Sequence, residues 1–332
     1  MRFHLSEEQI SIQDAVRGTL ADKWSMDILH KFADSESDFD QPSWDALMAL
    51  GLAGILLPDS GMGLLDAALV CEVAGEAAAA GPLIGQMLAV AAVSRSSSAA
   101  AKAHLEALAE GTTIATLALG DSAYVPCARA AQFFLTGSRD GPISLVEAGD
   151  GVSIETVRST DRSRPVSQVS FDGAITHQLF AVGDPMAGKL FDAALVLIAA
   201  DALGGAQKCT DMSVEYAKER EQFGQPIGQF QALKHQLAQM ALEVEPARAQ
   251  LWYAAYAHDA DLDDAPRAAV MAKAHLCDVY VRSARAAVAA HGGIGYTWEY
   301  GLNYWFRRAA FDRAWLGSPS EHRARAADMA GW

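Results

Sequence analysis

The chain has 332 residues, 51% of them hydrophobic and 20% charged, with a formal net charge of -15 at pH 7. Such a composition excludes a disordered chain and allows two or three domain-sized units. The acidic balance, with no basic stripe against it, excludes a nucleic-acid partner.

The N-terminal Met1–Glu8 stretch is polar and lacks the apolar core of a signal peptide. Ser6, followed by Glu8 and Gln9, reads as a helix start, and Ala, Leu and Glu then dominate. Residues 1–112 are therefore expected to form a helical domain. Gly51–Gly63 breaks it as a loop, helical sequence runs from Leu64 to Gly81 and from about Ser97 to Glu110, and Ser94–Ala101 is a Ser/Ala-rich bend.

Residues 113–183 change character. The short runs Ile114–Leu119, Gln132–Leu135, Ile143–Val146 and Gln168–Phe171, separated by Gly, Asp and Pro, predict a reduced antiparallel β domain. Residues 184–332 return to long helices. Leu233, Leu237, Met240, Val244, Ala247 and Leu251 form one apolar stripe; Ala272, Leu276, Val279, Ser283, Ala286 and Ala290 form a second, begun by Pro266 and ended by Gly292-Gly293. Helices of roughly 25–30 residues, about 40 Å long, joined by short turns predict a four-helix bundle. The most apolar run, Leu195–Ala206, is interrupted by Asp201 and too short for a bilayer. Cys71, Cys127, Cys209 and Cys277 form no Cys-x-x-Cys pair, which fits a reducing cytoplasm and no zinc knuckle. A cytoplasmic protein without a membrane or metal partner is expected.

Two segments carry the chemistry. Arg220–Gln231 reads Arg-Glu-Gln-Phe-Gly-Gln-Pro-Ile-Gly-Gln-Phe-Gln and lies between two long helical patterns; His291–Tyr300 reads His-Gly-Gly-Ile-Gly-Tyr-Thr-Trp-Glu-Tyr at the end of another. Both resemble the signatures of the acyl-CoA dehydrogenase family. So does the order of helical domain, small β domain and four-helix bundle. The resemblance implies a mainly α fold and a site for the ADP half of FAD, reached from a neighbouring subunit. Arg220 would pair with the pyrophosphate, as a planar guanidinium can through several bonds. Gln222 and Gln231 would add amide contacts and Phe223 would pack near the adenosine. Gly292 and Gly293 would bring backbone N–H groups close to the cofactor. His235 and His291 read as packing or capping residues. Ala289 stands where the family usually carries Gln, so one expected hydrogen bond is missing.

The same resemblance exposes what is absent. Dehydrogenation of an acyl-CoA needs a carboxylate base beside Cα, and the two family positions for that Glu hold Ala194 and Leu316, which accept no proton. Asp201 and Glu299 are the remaining acids considered as substitutes. The flavin-ring cradle motifs are not recognisable where Leu119–Pro126 falls. The reading that follows is a subunit that completes an FAD site. It pairs with a catalytic acyl-CoA dehydrogenase subunit in an α2β2 heterotetramer, acting on an acyl-CoA and passing electrons to electron-transfer flavoprotein. It resembles the degenerate subunits of bacterial steroid-catabolic enzymes. Two alternatives remain at this point: a self-sufficient flavoenzyme of altered chemistry, and a non-enzymatic CoA-ester-binding or scaffold protein that has lost FAD.

Overall fold

A computed structural model describes residues 4–120 and 123–332. Leu119–Pro126, where the flavin-ring cradle motifs are not recognisable, therefore lies partly outside the described residues. The first helix, α1 (Glu7–Lys23), starts at a capping box: Gln9 N donates to Ser6 Oγ at 3.2 Å and Ser6 N donates to Gln9 Oε1 at 3.0 Å. It is followed by α2 (Met26–Ala33), α3 (Gln41–Met48), a 3-10 turn at Leu52–Gly54, α4 (Leu64–Glu76), α5 (Leu83–Arg95), α6 (Ala99–Lys102) and α7 (Leu105–Ala109).

Helix α5 departs from the sequence expectation. Every residue from Leu83 to Val93 is buried, so it has no polar face and no amphipathic period to betray it.

Among the described residues, seven strands follow: β1 (Ala115–Leu119), β2 (Tyr124–Pro126), β3 (Phe133–Gly137), β4 (Ile143–Glu147), β5 (Val152–Thr156), β6 (Val166–Phe171) and β7 (Thr176–Phe180). They form a four-stranded sheet in the order β1-β3-β4-β7 and a three-stranded sheet in the order β2-β6-β5. Pairing is antiparallel except between β1 and β3. The chain leaves β1 for β2 in the other sheet before returning, so β3 re-enters in the same direction as β1.

The remainder is helical: α8 (Pro185–Glu219), a small hairpin of β8 (Glu221–Gln222) and β9 (Gln225–Pro226), a 3-10 turn at Ile227–Gln229, α9 (Gln231–Asp259), α10 (Ala265–His291), a 3-10 turn at Gly292–Tyr296, α11 (Asn303–Ala314) and α12 (Pro319–Met329). The last part of the bundle is two shorter helices, α11 and α12. Leu316 (φ +55°) and Gly317 (φ +103°) turn the chain between α11 and α12, and Ser318 Oγ caps the new helix ahead of Pro319.

Helix α8 is the centre of the packing. A Cβ on Gly204 would strike the Glu72 carbonyl, one on Gly75 the Asp201 carbonyl, and one on Gly205 the Tyr280 ring. Adjacent mid-helix glycines cost roughly 1 kcal/mol each relative to Ala; close approach of α4 and α10 to α8 is what requires them. Burial pushes all four cysteine thiols up, Cys127 and Cys277 to about 12. Among the described residues, no helix is long and apolar enough to cross a membrane.

Candidate cofactor interface

The first signature forms the tip beyond α8. Arg220 N closes the helix by donating to Tyr216 O at 2.8 Å, and Ile227 N donates to Arg220 O at 2.7 Å. A Cβ on Gly228 would lie 2.8 Å from Ala217 O, so glycine lets the connector fold back onto the helix. The hairpin loop is Phe223-Gly224, with φ of +54° and +79°; positive φ at both central residues is the type I′ pattern. Phe223 is 92% exposed and meets Phe230 edge-on, ring centroids 6.1 Å apart. The exposed Arg220 guanidinium has no ion pair or hydrogen bond among the described residues. Gln222 Nε2 donates to Glu221 O at 2.8 Å, while Gln231 is exposed at the first residue of α9.

The second signature adjoins the first. His291 is buried and lies flat against Tyr216, with centroids 4.6 Å apart and planes 23° apart. Its Nδ1 donates to Ala287 O at 2.7 Å, leaving Nε2 to accept from the Tyr300 hydroxyl at 2.9 Å. Burial holds its pKa below the usual histidine value. Gly292 follows at φ +62°, and a Cβ on Gly292 or Gly293 would meet nothing within 4 Å. Gly293 thus has no steric reason inside this chain to be glycine. An exposed apolar ring, an unpaired guanidinium and open glycine backbone on neighbouring turns fit a phosphate-bearing ligand with an aromatic end. Ala289 is exposed there and offers no side-chain donor. His235 is exposed on α9 and takes no part.

The interior tells a different story. Ala194 is fully buried in α8 and Leu316 is 9% exposed. A Cβ on Gly120 would lie 3.9 Å from Leu316 Cδ2, so the end of β1 packs near that turn. Beside it, Arg164 is buried. Its Nη2 donates to Asp201 Oδ1 at 2.8 Å and its Nη1 to Asp312 Oδ1 at 2.6 Å, with the Phe311 and Trp315 ring centroids both 5.4 Å from its Cζ. Buried Arg308 donates through Nε to Asp161 at 3.0 Å and lies 3.6 Å from Asp201.

Burial pushes Asp201 upward, but Arg164 and Arg308 outweigh it and keep the carboxyl below its usual range. Asp312 is held well above its usual range by burial and by the Asp201 charge. Oδ2 of both acids lacks a hydrogen-bond partner among the described residues. Asp201 is therefore a structural counter-ion to two arginines. The space left beside Arg164, Asp201 and Trp315 is about 20 Å³, room for about one water. Glu299 is exposed on the turn after the 3-10 segment.

Sequence reading did not foresee a groove of about 1020 Å³ flanking the second signature. Arg158, Arg162, Arg285 and Arg307 line it together with Tyr296, Trp298 and Phe306. Arg162 pairs with Asp34 at 3.0 Å and lies 5.3 Å over the Trp298 ring; Arg158 and Arg285 have no partner among the described residues. The available signal was the Arg158-Ser-Thr-Asp-Arg162-Ser-Arg164 run in so acidic a chain. Its arginines divide between the groove and the buried cluster, a split that no local pattern reveals.

Comparison with known proteins matches residues 6–112 to the N-terminal domain of acyl-CoA dehydrogenases and residues 183–330 to their C-terminal domain. Acyl-CoA dehydrogenase IpdE2 of Mycolicibacterium smegmatis is 31% identical over 97% of this chain and 98% of its own. The chain belongs to the acyl-CoA dehydrogenase family. It thus falls in a family of oxidoreductases. Among solved structures, a Tcur3481-Tcur3483 steroid ACAD variant has a TM-score of 0.88 at 27% identity, covering 98% of both chains. The ChsE4-ChsE5 complex from Mycobacterium tuberculosis has a TM-score of 0.87 at 24% identity, covering 100% of this chain and 99% of the other; at that identity the likeness is one of fold.

Proposed function

We propose that this chain is the FAD-site-completing subunit of a heteromeric acyl-CoA dehydrogenase. In this reading residues 1–112, 113–183 and 184–332 act as helical, β and bundle domains of one half of an α2β2 assembly in the cytoplasm. A catalytic partner subunit supplies the carboxylate base and the flavin-ring pocket. The observation that carries it is a contrast within one molecule. The outward face keeps an Arg220 unpaired among the described residues, a bare Phe223 and open glycines, while the two base positions hold the buried apolar side chains of Ala194 and Leu316.

Arg220 would hold the FAD pyrophosphate, Gln222 and Gln231 would add amide contacts, and Phe223 would cover the adenosine edge. The backbone N–H groups at Gly292 and Gly293 would approach the same ligand. Bound FAD would take the hydride from Cβ of the acyl-CoA, with electron-transfer flavoprotein as acceptor. In this reading the chain's own residues bind and orient, and the α-proton is removed by the partner's carboxylate. The likeness to a steroid ACAD and to the fold of a two-protein complex supports a heteromer and favours a steroid side-chain or ring-derived CoA ester as substrate.

Expression alone and with a longer family member that retains the Glu base tests the reading. The chain by itself is expected to be colourless and inactive, and the coexpressed complex yellow and active. A yellow protein that oxidises acyl-CoA without any partner would overturn it.

A further inference from the structure

We propose a divalent transition-metal site, suited to Zn²⁺, at the edge of the four-stranded sheet, formed by His104, Glu147 and His177. It is independent of the cofactor interface and contradicts the expectation, drawn from cysteine spacing alone, that no metal is bound.

Strand register builds two of the three ligands. Phe133 of β3 faces Glu147 of β4, and Leu145 of β4 faces His177 of β7. With side chains alternating every two residues, Phe133, Glu147 and His177 share one sheet face, the last two as diagonal neighbours. His104, which begins α7, stands over that face with its ring 4.7 Å from Phe133 and 6.0 Å from His177. One ligand atom from each of His104, Glu147 and His177 falls within 4.8 Å of the others.

The Glu147–His177 contact, Oε1 to Nε2 at 2.5 Å, is explained as a hydrogen bond. His104 is not. It is half-buried, aimed into the pair, and neither ring nitrogen has a hydrogen-bond partner among the described residues. Imidazole nitrogens idle beside a carboxylate lack an acceptor or a cation, and two imidazoles with one carboxylate are a zinc donor set. Metal–ligand bonds of about 2.0–2.2 Å put tetrahedral donors about 3.3 Å apart. The present spacing reaches that by side-chain rotation, and a solvent water completes the fourth position. The ion would tie the start of α7 to edge strand β7, 73 residues later in the chain.

Protein stripped with a chelator and titrated with Co²⁺ tests the site. One equivalent is expected to produce visible d–d absorption that Zn²⁺ abolishes by displacement, and Zn²⁺ is expected to raise Tm. His104→Gln and His177→Gln should each weaken Co²⁺ binding by at least about tenfold. His104→Gln is the sharper variant, since this side chain makes no hydrogen bond in the metal-free protein; its metal-free Tm should stay near wild type while the Zn²⁺-dependent rise disappears. Absence of Co²⁺ absorption in the wild type, or binding unchanged in His104→Gln, overturns the proposal.

Discussion

Tyr216 and His291 stack face to face, 4.6 Å between centroids, and that contact joins the two signature segments. Tyr216 sits one turn before Arg220, and His291 immediately precedes Gly292. The stacking sets one turn beside the other.

Tyr216→Ala should therefore reduce flavin retention in the assembled complex without unfolding the bundle. An aromatic pair contributes about 0.5–1.5 kcal/mol beyond its buried area, so a fall in FAD affinity of roughly two- to tenfold is expected, with Tyr216→Phe near wild type. Flavin absorbance after gel filtration measures it.

Arg220→Ala and Phe223→Ala should separate function from folding. Both side chains are exposed, and exposed positions without partners change stability by about 0.5 kcal/mol or less. Denaturant midpoints should stay close to wild type while flavin content of the complex drops, most in Arg220→Ala because a charge-assisted contact with phosphate is lost. Unchanged flavin content would remove that residue from the site.

The two buried acids should respond unequally to the same substitution. Asp312→Asn imitates a protonated carboxyl and should be tolerated. Asp201→Asn leaves Arg164 and Arg308 short of a counter-charge, and breaking a buried pair costs about 3–5 kcal/mol. Urea unfolding of the two variants reads the difference; equal losses would mean that Asp312 is ionised.

His322 gives the fold an acid-sensitive window. It is 4% exposed and Nε2 has no protein partner; burial, and then the nearby Lys273, lower its pKa to about 4. The unfolded value is about 6.5, so the folded state prefers the neutral ring. Its contribution is complete above pH 6.5, declines as the pH falls through the window, and is exhausted near pH 4. The total is at most about 3 kcal/mol. His275 and His291 shift in the same direction and steepen the same loss. The difference between wild type and His322→Gln in a pH series of unfolding curves isolates this residue, and parallel profiles would contradict the assignment.

Much of the architecture is legible residue by residue. Ser6 and Gln9 announce α1, the apolar stripes along α9 and α10 give their buried faces, and Phe223-Gly224 carries its own turn. Helix α5 is not legible because burial on every side erases periodicity. Nor is the parallel β1–β3 pair, since nothing within either strand says that β2 will leave for another sheet. The turn at Leu316-Gly317 between α11 and α12 is not legible either, because there a leucine adopts a left-handed conformation that local preference disfavours.

From its own residues, the sequence determined most of the helix and strand types, because each depends on side-chain identity or short-range spacing; the candidate cofactor segments and the missing carboxylate at Ala194 and Leu316 were legible through resemblance to a family. Tertiary structure decided which distant residues meet: Tyr216 with His291, Arg164 with Asp201 and Asp312, and His104 with Glu147 and His177. Those contacts are set by close helix packing across Gly204 and Gly205 and by strand register, and both arise only when segments far apart in the chain are buried against one another.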